Sequence, residues 1–203
     1  MARLITPQGK KARRFGMGFT EKQQRIVAKR NSPPGQHGPS GYPRLSEYGK
    51  QQQEKQKAKF IYGILERQFR KYFEQALSSK LNTAEKLFQL LEMRLDNVVF
   101  RAGFAKTRSM ARQLVSHGHV TVNGKKVNIP SYEVKTSDIV AIKDSSKTRK
   151  TFKDAIEGAG KYEQTSWINS DVAKLSAKIT DKPKAADMTG EFDSKMIIEF
   201  YSR

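Results

Sequence analysis

The chain has 203 residues, of which 36% are hydrophobic, and a formal net charge of +19 from 39 Lys and Arg against 20 Asp and Glu. The low apolar content predicts modest cores and an extended segment. The lack of cysteine excludes disulfides and thiolate metal sites and fits the cytosol, and no apolar run reaches the length of a membrane span. The charge favours a polyanionic partner.

The basic residues are concentrated towards the N-terminus. Residues 1–81 carry 18 Lys and Arg against 5 Asp and Glu, whereas residues 145–203 carry 11 against 9. Residues 1–43 are rich in Lys, Arg, Gly and Pro, which predicts a basic arm that is disordered when free and becomes ordered on RNA. Pro33-Pro34-Gly35 predicts an extended stretch and a turn. The first residues lack the apolar core of a secretion signal.

Residues 52–77 are predicted to form one long helix. Apolar and aromatic side chains recur at helical spacing at Ile61, Leu65, Phe69, Tyr72 and Ala76, which is typical of a helix that is buried along one face. The aromatic side chains of this segment are therefore expected to lie in a core, and stacking on bases is the weaker interpretation.

A second helix is predicted to begin at a capping box formed by Asn82 and Glu85 and to end near Gly103. Asp96 lies two residues after Arg94 in this helix. Its expected role is to orient or neutralise an arginine, and not to catalyse a reaction.

Residues 108–115 predict a further helix with two distinct faces. At about 100° per residue, Arg108 and Arg112 fall on one side, and Met110 and Leu114 on the other. Two arginines one turn apart form a rigid basic face that suits a nucleic-acid backbone. For the helix alone, a solvated surface face is the simpler interpretation.

A hairpin follows this helix. Asn123-Gly124 lies between alternating apolar residues, and this dipeptide is the strongest short-range signal for a tight turn between two strands. The hairpin would carry Lys125 and Lys126 just past its turn, beside the basic helix.

The sequence becomes polar beyond residue 144. Alternation at Leu175, Ala177 and Ile179 predicts a strand. The apolar cluster at 196–201 predicts a terminal strand or helix cap that docks on the body of the protein.

Several long blocks of the sequence resemble one family. Residues 94–128, RLDNVVFRAGFAKTRSMARQLVSHGHVTVNGKKVN, resemble the RNA-binding module named after the fourth protein of the small ribosomal subunit. PPGQHG at 33–38, RLSEYG at 44–49, QEKQKAKFIYGILERQFRKYFEQA at 53–76 and IIEFYSR at the end resemble that bacterial ribosomal protein family itself, and matches are sparse at 145–190. The chain is identified as a member of this family over its whole length.

This resemblance implies an α+β fold. It comprises an extended basic N-terminal arm at 1–43, a mainly helical domain at 44–92 that is completed by 160–203, and an inserted module at 93–156. The module consists of a helix-loop-helix and short antiparallel strands. In the family the chain end returns to the helical domain, so the module is an insertion.

The resemblance also implies a function. The chain is expected to be a structural constituent of the small ribosomal subunit in the cytoplasm, to bind the five-prime domain of the ribosomal RNA directly and to nucleate assembly of the body. It is expected to contribute to translational accuracy with the neighbouring fifth protein and to contact messenger RNA where that strand enters. Residues 39–43 are less basic than in many relatives, so the prediction of ribosomal RNA contacts is the stronger one. No membrane, cofactor or small-molecule substrate is expected.

The candidate RNA-binding residues are basic, polar or aromatic side chains from the arm, the helices and the module. They are Lys10, Lys11, Arg13, Arg14, Gln36, His37, Arg44, Tyr48, Lys55, Lys57, Lys59, Arg67, Arg70, Lys71, Arg94, Arg101, Lys106, Arg108, Arg112, His117, Lys125 and Lys126.

Two alternatives compete with this interpretation. The same module occurs in pseudouridine synthases, tyrosyl-tRNA synthetases and heat-shock RNA-binding proteins, but an enzyme would need a catalytic domain of about 150 residues that the rest of the chain does not suggest. His117-x-His119 resembles a metal pair, yet the only other histidine is His37 and no cysteine exists, so no metal is predicted. Some family members hold zinc through cysteines near the N-terminus, and this chain has none.

Overall fold

The computed structural model of the protein describes residues 7–42, 44–149, 152, 156, 165–184, 187 and 192–202. Its contacts divide the chain into an N-terminal unit, residues 1–71 with 190–203, and a central unit, residues 72–189.

In chain order the described elements are α1 (Gln8–Phe15), α2 (Glu21–Lys29), a 3₁₀ turn (Gly38–Ser40), α3 (Glu47–Tyr62), α4 (Glu66–Leu77), α5 (Thr83–Glu92), α6 (Leu95–Arg101), α7 (Arg108–Ser116), β1 (Val120–Val122), β2 (Lys125–Lys126), β3 (Ile139–Ile142), α8 (Asp144–Lys147), β4 (Ile168–Asp171), β5 (Ser176–Ile179) and α9 (Ser194–Tyr201).

The basic N-terminal segment contains two helices, α1 and α2, so the predicted extended arm is wrong for residues 8–15 and 21–29. α1 ends at Gly16, whose φ of 66° is left-handed, and α2 begins at Thr20, whose side chain accepts a hydrogen bond from the backbone of Gln23. The rings of Phe15 and Phe19 contact Phe60 of α3 at centroid distances of 5.7 and 5.9 Å. These tertiary contacts stabilise two short helices that would be marginal in isolation.

The predicted helix at 52–77 consists of two helices, because Gly63 ends α3. Gly63 has φ 64°, and its backbone N–H donates to the carbonyl groups of Lys59 and Phe60. A left-handed residue at this position stops a helix and satisfies its last carbonyls. The predicted core stripe is largely correct, since Ile61, Phe69 and Ala76 are buried.

The last helix, α9, docks on α3 within the N-terminal unit. The amide of Gln51 donates to a carboxylate oxygen of Glu199 at 2.8 Å. The hydroxyl of Tyr201 donates to Glu66 at 2.7 Å, and Ile197 is fully buried. The prediction that the apolar chain end docks on the body is confirmed, and the docked element is a helix.

The second predicted helix is also divided. Asn82 caps α5 through a hydrogen bond from the backbone of Ala84, as the cap position predicts. The helix then breaks at Arg94, which forms a β-bridge with Glu133. α6 follows immediately and ends near Gly103, so the predicted C-terminal end is correct.

The central unit contains a five-stranded antiparallel sheet in the order β2-β1-β3-β5-β4. The predicted hairpin is confirmed, because Val122 pairs with Lys125 and both Asn123 and Gly124 have positive φ. The predicted strand near 175–179 is confirmed as β5. The helices α6 and α7 share one apolar core with this sheet.

β4 and β5 correct one part of the predicted domain organisation. Residues 160–203 were expected to complete the helical domain, yet β5 pairs with β3 and β4 pairs with β5. Leu175, Ala177 and Ile179 therefore belong to the core of the central unit. Strands with one apolar face are stabilised where a partner sheet edge and core are available, and β3 provides both.

Candidate nucleic-acid interface

The candidate residues differ widely in exposure. The exposed ones are Lys10, Arg14, Gln36, His37, Arg44, Tyr48, Arg67, Arg70, Lys71, Lys106, His117, Lys125 and Lys126. The partly buried ones are Lys11, Arg13, Lys57, Arg101, Arg108 and Arg112. The buried ones are Lys55, Lys59 and Arg94.

Asp96 holds two of the candidate arginines. The guanidinium of Arg94 donates to both carboxylate oxygens of Asp96, at 3.0 and 2.7 Å, and to the hydroxyl of Tyr72 at 2.6 Å. Arg112 of α7 donates to the same carboxylate at 3.3 Å. Burial alone would lower the pKa of Arg94, but the charge and hydrogen bonds of Asp96, together with those of Tyr72, raise the pKa above its ordinary value. Asp96 thus has the arginine-neutralising role that the sequence predicts.

A second network joins α5, α6 and α7. Arg101 donates to both carboxylate oxygens of Glu92 at 3.0 Å, and the amide of Asn97 donates to Glu92 at 2.8 Å. Arg108 donates to the side-chain oxygen of Asn97 at 2.8 Å, and its guanidinium lies 4.7 Å from the centre of the Phe100 ring.

The simpler interpretation of α7, a solvated basic face, is therefore wrong, whereas the RNA contact of Arg108 and Arg112 stays a prediction. Arg108 and Arg112 lie on one side of the helix, but that side meets α6, where Asn97 and Asp96 receive them. Guanidinium groups have a geometry that suits such fixed contacts to carboxylates and amides. These arginines join two helices of the central unit.

Several candidate cations of the N-terminal unit also have structural contacts. The ammonium groups of Lys55 and Lys59 lie 3.0 and 2.6 Å from the carboxylate of Glu66. Arg13 donates to the carbonyl groups of Ser32 and Pro33 at 3.0 and 3.1 Å. These contacts connect α3 with α4, and α1 with the loop that follows α2.

Other candidates converge on an open basic groove of about 960 Å³ in the N-terminal unit. Its lining includes Lys10, Lys11 and Arg14 of α1, and Gln52, Gln53 and Gln56 of α3, together with the rings of Phe15 and Tyr42. No Asp or Glu is among the described residues that line it. We call this surface the α1–α3 groove. Glutamine amides donate and accept hydrogen bonds, so the groove offers cations, polar groups and ring faces to one ligand.

The hairpin of the central unit presents further exposed cations. Lys125 and Lys126 are exposed on β2, and His117 is exposed at the end of α7. Lys143, directly after β3, and Arg149, after α8, are also exposed, and sequence reasoning missed both. Lys143 donates its backbone N–H to the carbonyl of His119 at 2.9 Å. Its position at the end of a strand that pairs with β1 is a signal that could have identified it.

Comparison with known proteins identifies the family of the chain. Residues 3–92 match the family model for the ribosomal protein S4/S9 N-terminal domain, and residues 93–140 match the model for the S4 domain. Small ribosomal subunit protein uS4 of Chloroflexus aurantiacus is 50% identical over 206 residues and covers 100% of both chains. The proteins of the same name from Roseiflexus castenholzii and Parabacteroides distasonis are 51% and 47% identical, also over 100% of both chains. The chain belongs to the uS4 family.

Membership of the uS4 family confirms the resemblance seen in the sequence and the prediction that the chain is not an enzyme. Within the described part of the chain, no helix is both long enough and apolar enough to cross a membrane. Among the same residues, no three His, Asp or Glu side chains converge as a metal site. The ring nitrogens of His119 instead contact Ser146 and Arg149.

Proposed function

We propose that this uS4-family chain is a structural protein of the small ribosomal subunit, in the cytoplasm, that binds ribosomal RNA directly. The observation that carries this proposal is the α1–α3 groove. Three cations line it without a carboxylate among its described lining residues. Uncompensated cations beside amide groups and ring faces suit an RNA strand, whose phosphates are anionic and whose bases form hydrogen bonds and stack.

The burial of other cations supports this assignment of roles. Arg94, Arg101, Arg108 and Arg112 have their guanidinium groups committed to contacts within the central unit. Arg94, Arg101 and Arg112 pair with carboxylates of their own chain, and Arg108 donates to the side-chain oxygen of Asn97. Guanidinium groups held in this way are poorly placed to neutralise a phosphate as well. We therefore assign phosphate contacts to the exposed candidates first, above all Lys10, Lys11 and Arg14 in the groove and Lys125 and Lys126 on the hairpin.

Each of the two units carries its own basic surface, and this supports a role in assembly. A chain that contacts two segments of one RNA neutralises phosphates on both and favours folds in which they are held together. We propose on this basis that the protein nucleates assembly of the subunit body. The boundaries 1–43, 44–92 and 93–156 remain our proposal for the domain organisation, and a boundary between residues 92 and 93 in the family models supports it.

The proposed roles in translational accuracy and in messenger RNA contact rest on the family resemblance. We propose that the protein contributes to translational accuracy through contact with the neighbouring fifth protein of the subunit. Messenger RNA near the point where it enters is proposed as a further partner. Exposed Gln36, His37 and Arg44 are the candidates for that contact.

The test is the affinity of the full chain for a transcript of the five-prime domain of small-subunit ribosomal RNA. Changing Lys10, Lys11 and Arg14 to Gln removes three cations from the α1–α3 groove. We expect the affinity to fall, and the slope of log affinity against log salt to decrease by about 0.7–0.9 for each phosphate that the variant no longer neutralises.

The matched control changes Lys22, Arg25 and Lys29 of α2 to Gln. These side chains are exposed in the same unit, and their removal changes the net charge equally. The control should keep most of the salt dependence. Equal reductions in the two variants would mean that only net charge attracts RNA, and wild-type binding that does not depend on salt would contradict the proposed function.

A further inference from the structure

The turn His117-Gly118-His119 lies at the centre of a group of cations in the central unit. His119 is buried, and its side chain contacts polar groups on both sides. Its Nδ1 lies 3.0 Å from the hydroxyl of Ser146 in α8. Its Nε2 lies 3.3 Å from Nη1 of Arg149.

These contacts fix both the charge and the tautomer of His119. Because a guanidinium only donates hydrogen bonds, Nε2 must accept from Arg149 and cannot carry a proton. The ring proton is then on Nδ1, which donates to the hydroxyl of Ser146. Burial, together with the charges of Arg149, His117, Lys126 and Lys143, lowers the pKa of His119, in agreement with a neutral ring that orients Arg149.

Two lysines are brought to the same place by the backbone. Gly118 has φ 72°, and a side chain there would collide with the end of the Lys126 side chain, which lies across this glycine. Lys143 is held beside the turn by the hydrogen bond from its backbone N–H to the carbonyl of His119 at 2.9 Å. Both lysines and Arg149 are exposed to solvent.

The cations of this group lack an obvious counter-charge in the described part of the chain. The adjacent carboxylate of Asp144 lies 2.7 Å from Lys147. Three cations held together at fixed backbone positions repel one another. An anionic ligand relieves that repulsion, and neighbouring oxygen atoms of phosphate groups match three donors of this kind.

We propose that Lys126, Lys143 and Arg149, arranged around His119, form a binding site for the phosphate backbone of RNA. His119 is a positioning residue that holds Arg149 and does not touch the ligand. This inference rests on the proposed function, because it takes RNA as the partner. It adds Lys143, Arg149 and the role of His119 to the residues considered from the sequence.

The test compares two triple variants of the full chain on the same five-prime-domain transcript over a range of salt concentrations. The first changes Lys126, Lys143 and Arg149 to Gln. The control changes Lys135, Lys178 and Lys182 to Gln, which are exposed near the other end of β3, and removes the same charge. We expect the slope of log affinity against log salt to fall by about 2 in the first variant and to stay near the wild-type value in the control.

A third variant tests the positioning role separately from the charge. His119→Leu removes the acceptor for Arg149 without removing a permanent cation, and His119→Gln restores a carbonyl acceptor. We expect the slope to fall by about 1 in the leucine variant and to recover in part in the glutamine variant. Melting temperatures of all variants identify any that fail to fold. If the His119 variants fail to fold, the slope measured for Arg149→Gln alone tests whether Arg149 contacts the RNA.

Equal slopes for the two triple variants would overturn this site. If the wild-type chain itself binds the transcript without salt dependence, the proposed function fails as well. The two failures are therefore distinguishable in one set of measurements.

Discussion

At the scale of single residues, the arginines of the central unit differ in environment, since some are buried in ion pairs and others are exposed to solvent. Arg94 is only 3% exposed and donates to both oxygens of Asp96, whereas Arg149 is exposed and is oriented by a neutral histidine. Burying a charge is costly unless it is paired and hydrogen-bonded. The environment of each guanidinium, and not its presence in a basic segment, decides whether it stabilises the fold or contacts RNA.

Asp96→Asn should destabilise the protein strongly. The change leaves the buried guanidinium of Arg94 and the partly buried one of Arg112 without their shared negative charge. Removing one partner of a buried ion pair typically costs about 3–5 kcal/mol of unfolding free energy. Chemical denaturation measures the change in stability. Glu133→Gln, an exposed change in the same unit, serves as the control and should shift stability by no more than about 0.5 kcal/mol, so similar effects in both would contradict the role of Asp96.

Glu66 gives the N-terminal unit an acid-sensitive contact. Burial alone would raise the pKa of Glu66, but hydrogen bonds from Lys59, Tyr201 and Lys55 lower it from 4.5 to about 2. A lowered carboxylate pKa adds stability above pH 4.5, and this contribution disappears as the pH falls towards 2. Since the side chain is 44% exposed, solvent screening limits the cost of Glu66→Gln to about 1 kcal/mol at neutral pH.

The measurement for Glu66 is the melting temperature of wild type and Glu66→Gln between pH 2 and pH 7. We expect the two curves to converge as the pH falls from 4.5 towards 2, because the unfolded chain takes up a proton at Glu66 over this range while the folded chain does so only near pH 2. Curves that stay parallel over the whole range would show that the carboxylate charge contributes nothing.

At the scale of secondary structure elements, patterns within a few neighbouring residues predict local structure well. Features that depend on contacts between distant parts of the chain are predicted poorly. Asn123-Gly124 predicts its hairpin because the two residues themselves adopt the positive φ that the turn requires. The direction of Arg108 and Arg112 could not be predicted, because it depends on how α6 meets α7. The helices α1 and α2 were missed for the same reason, since Phe60 of α3 supplies their apolar contacts.

Gly63 explains one of the errors, the undivided helix at 52–77. A glycine inside a helical pattern is tolerated at moderate cost, so its presence does not reveal whether a helix continues or ends. Only its left-handed backbone decides the matter. The candidate cations show the same limit. Composition identifies them in the sequence, but only the packing of neighbouring elements shows which of them are buried in structural contacts and which are exposed.

Gly63→Ala should destabilise the protein by about 1 kcal/mol, the usual cost of a left-handed alanine. A side chain at Gly63 meets no atom within 4 Å, so the cost is conformational and not steric. Gly49 lies within α3, where alanine is the better helix former. Gly49→Ala is therefore the matched control, and thermal unfolding should show a lower melting temperature for Gly63→Ala and no decrease for Gly49→Ala.

At the scale of the whole molecule, the charge of +19 is divided between contacts within the chain and surfaces that face solvent. The α1–α3 groove belongs to the N-terminal unit, and the cations around His119 belong to the central unit. Neither set includes a residue of the other, so under our proposal each surface neutralises its own phosphates. Net charge attracts RNA at long range, but the number of phosphates neutralised in the complex sets the salt dependence.

The last prediction follows from this independence. Combining the groove substitutions Lys10→Gln, Lys11→Gln and Arg14→Gln with Lys126→Gln, Lys143→Gln and Arg149→Gln should reduce the binding free energy by the sum of the two separate reductions, within about 0.5 kcal/mol. The changes in the slope of log affinity against log salt should add as well, because each phosphate contact releases its own counterions. Titrations of the five-prime-domain transcript with the wild type, the two triple variants and the combined variant measure both quantities. A combined reduction no larger than that of one triple variant would mean that the two surfaces do not bind the RNA in the same complex.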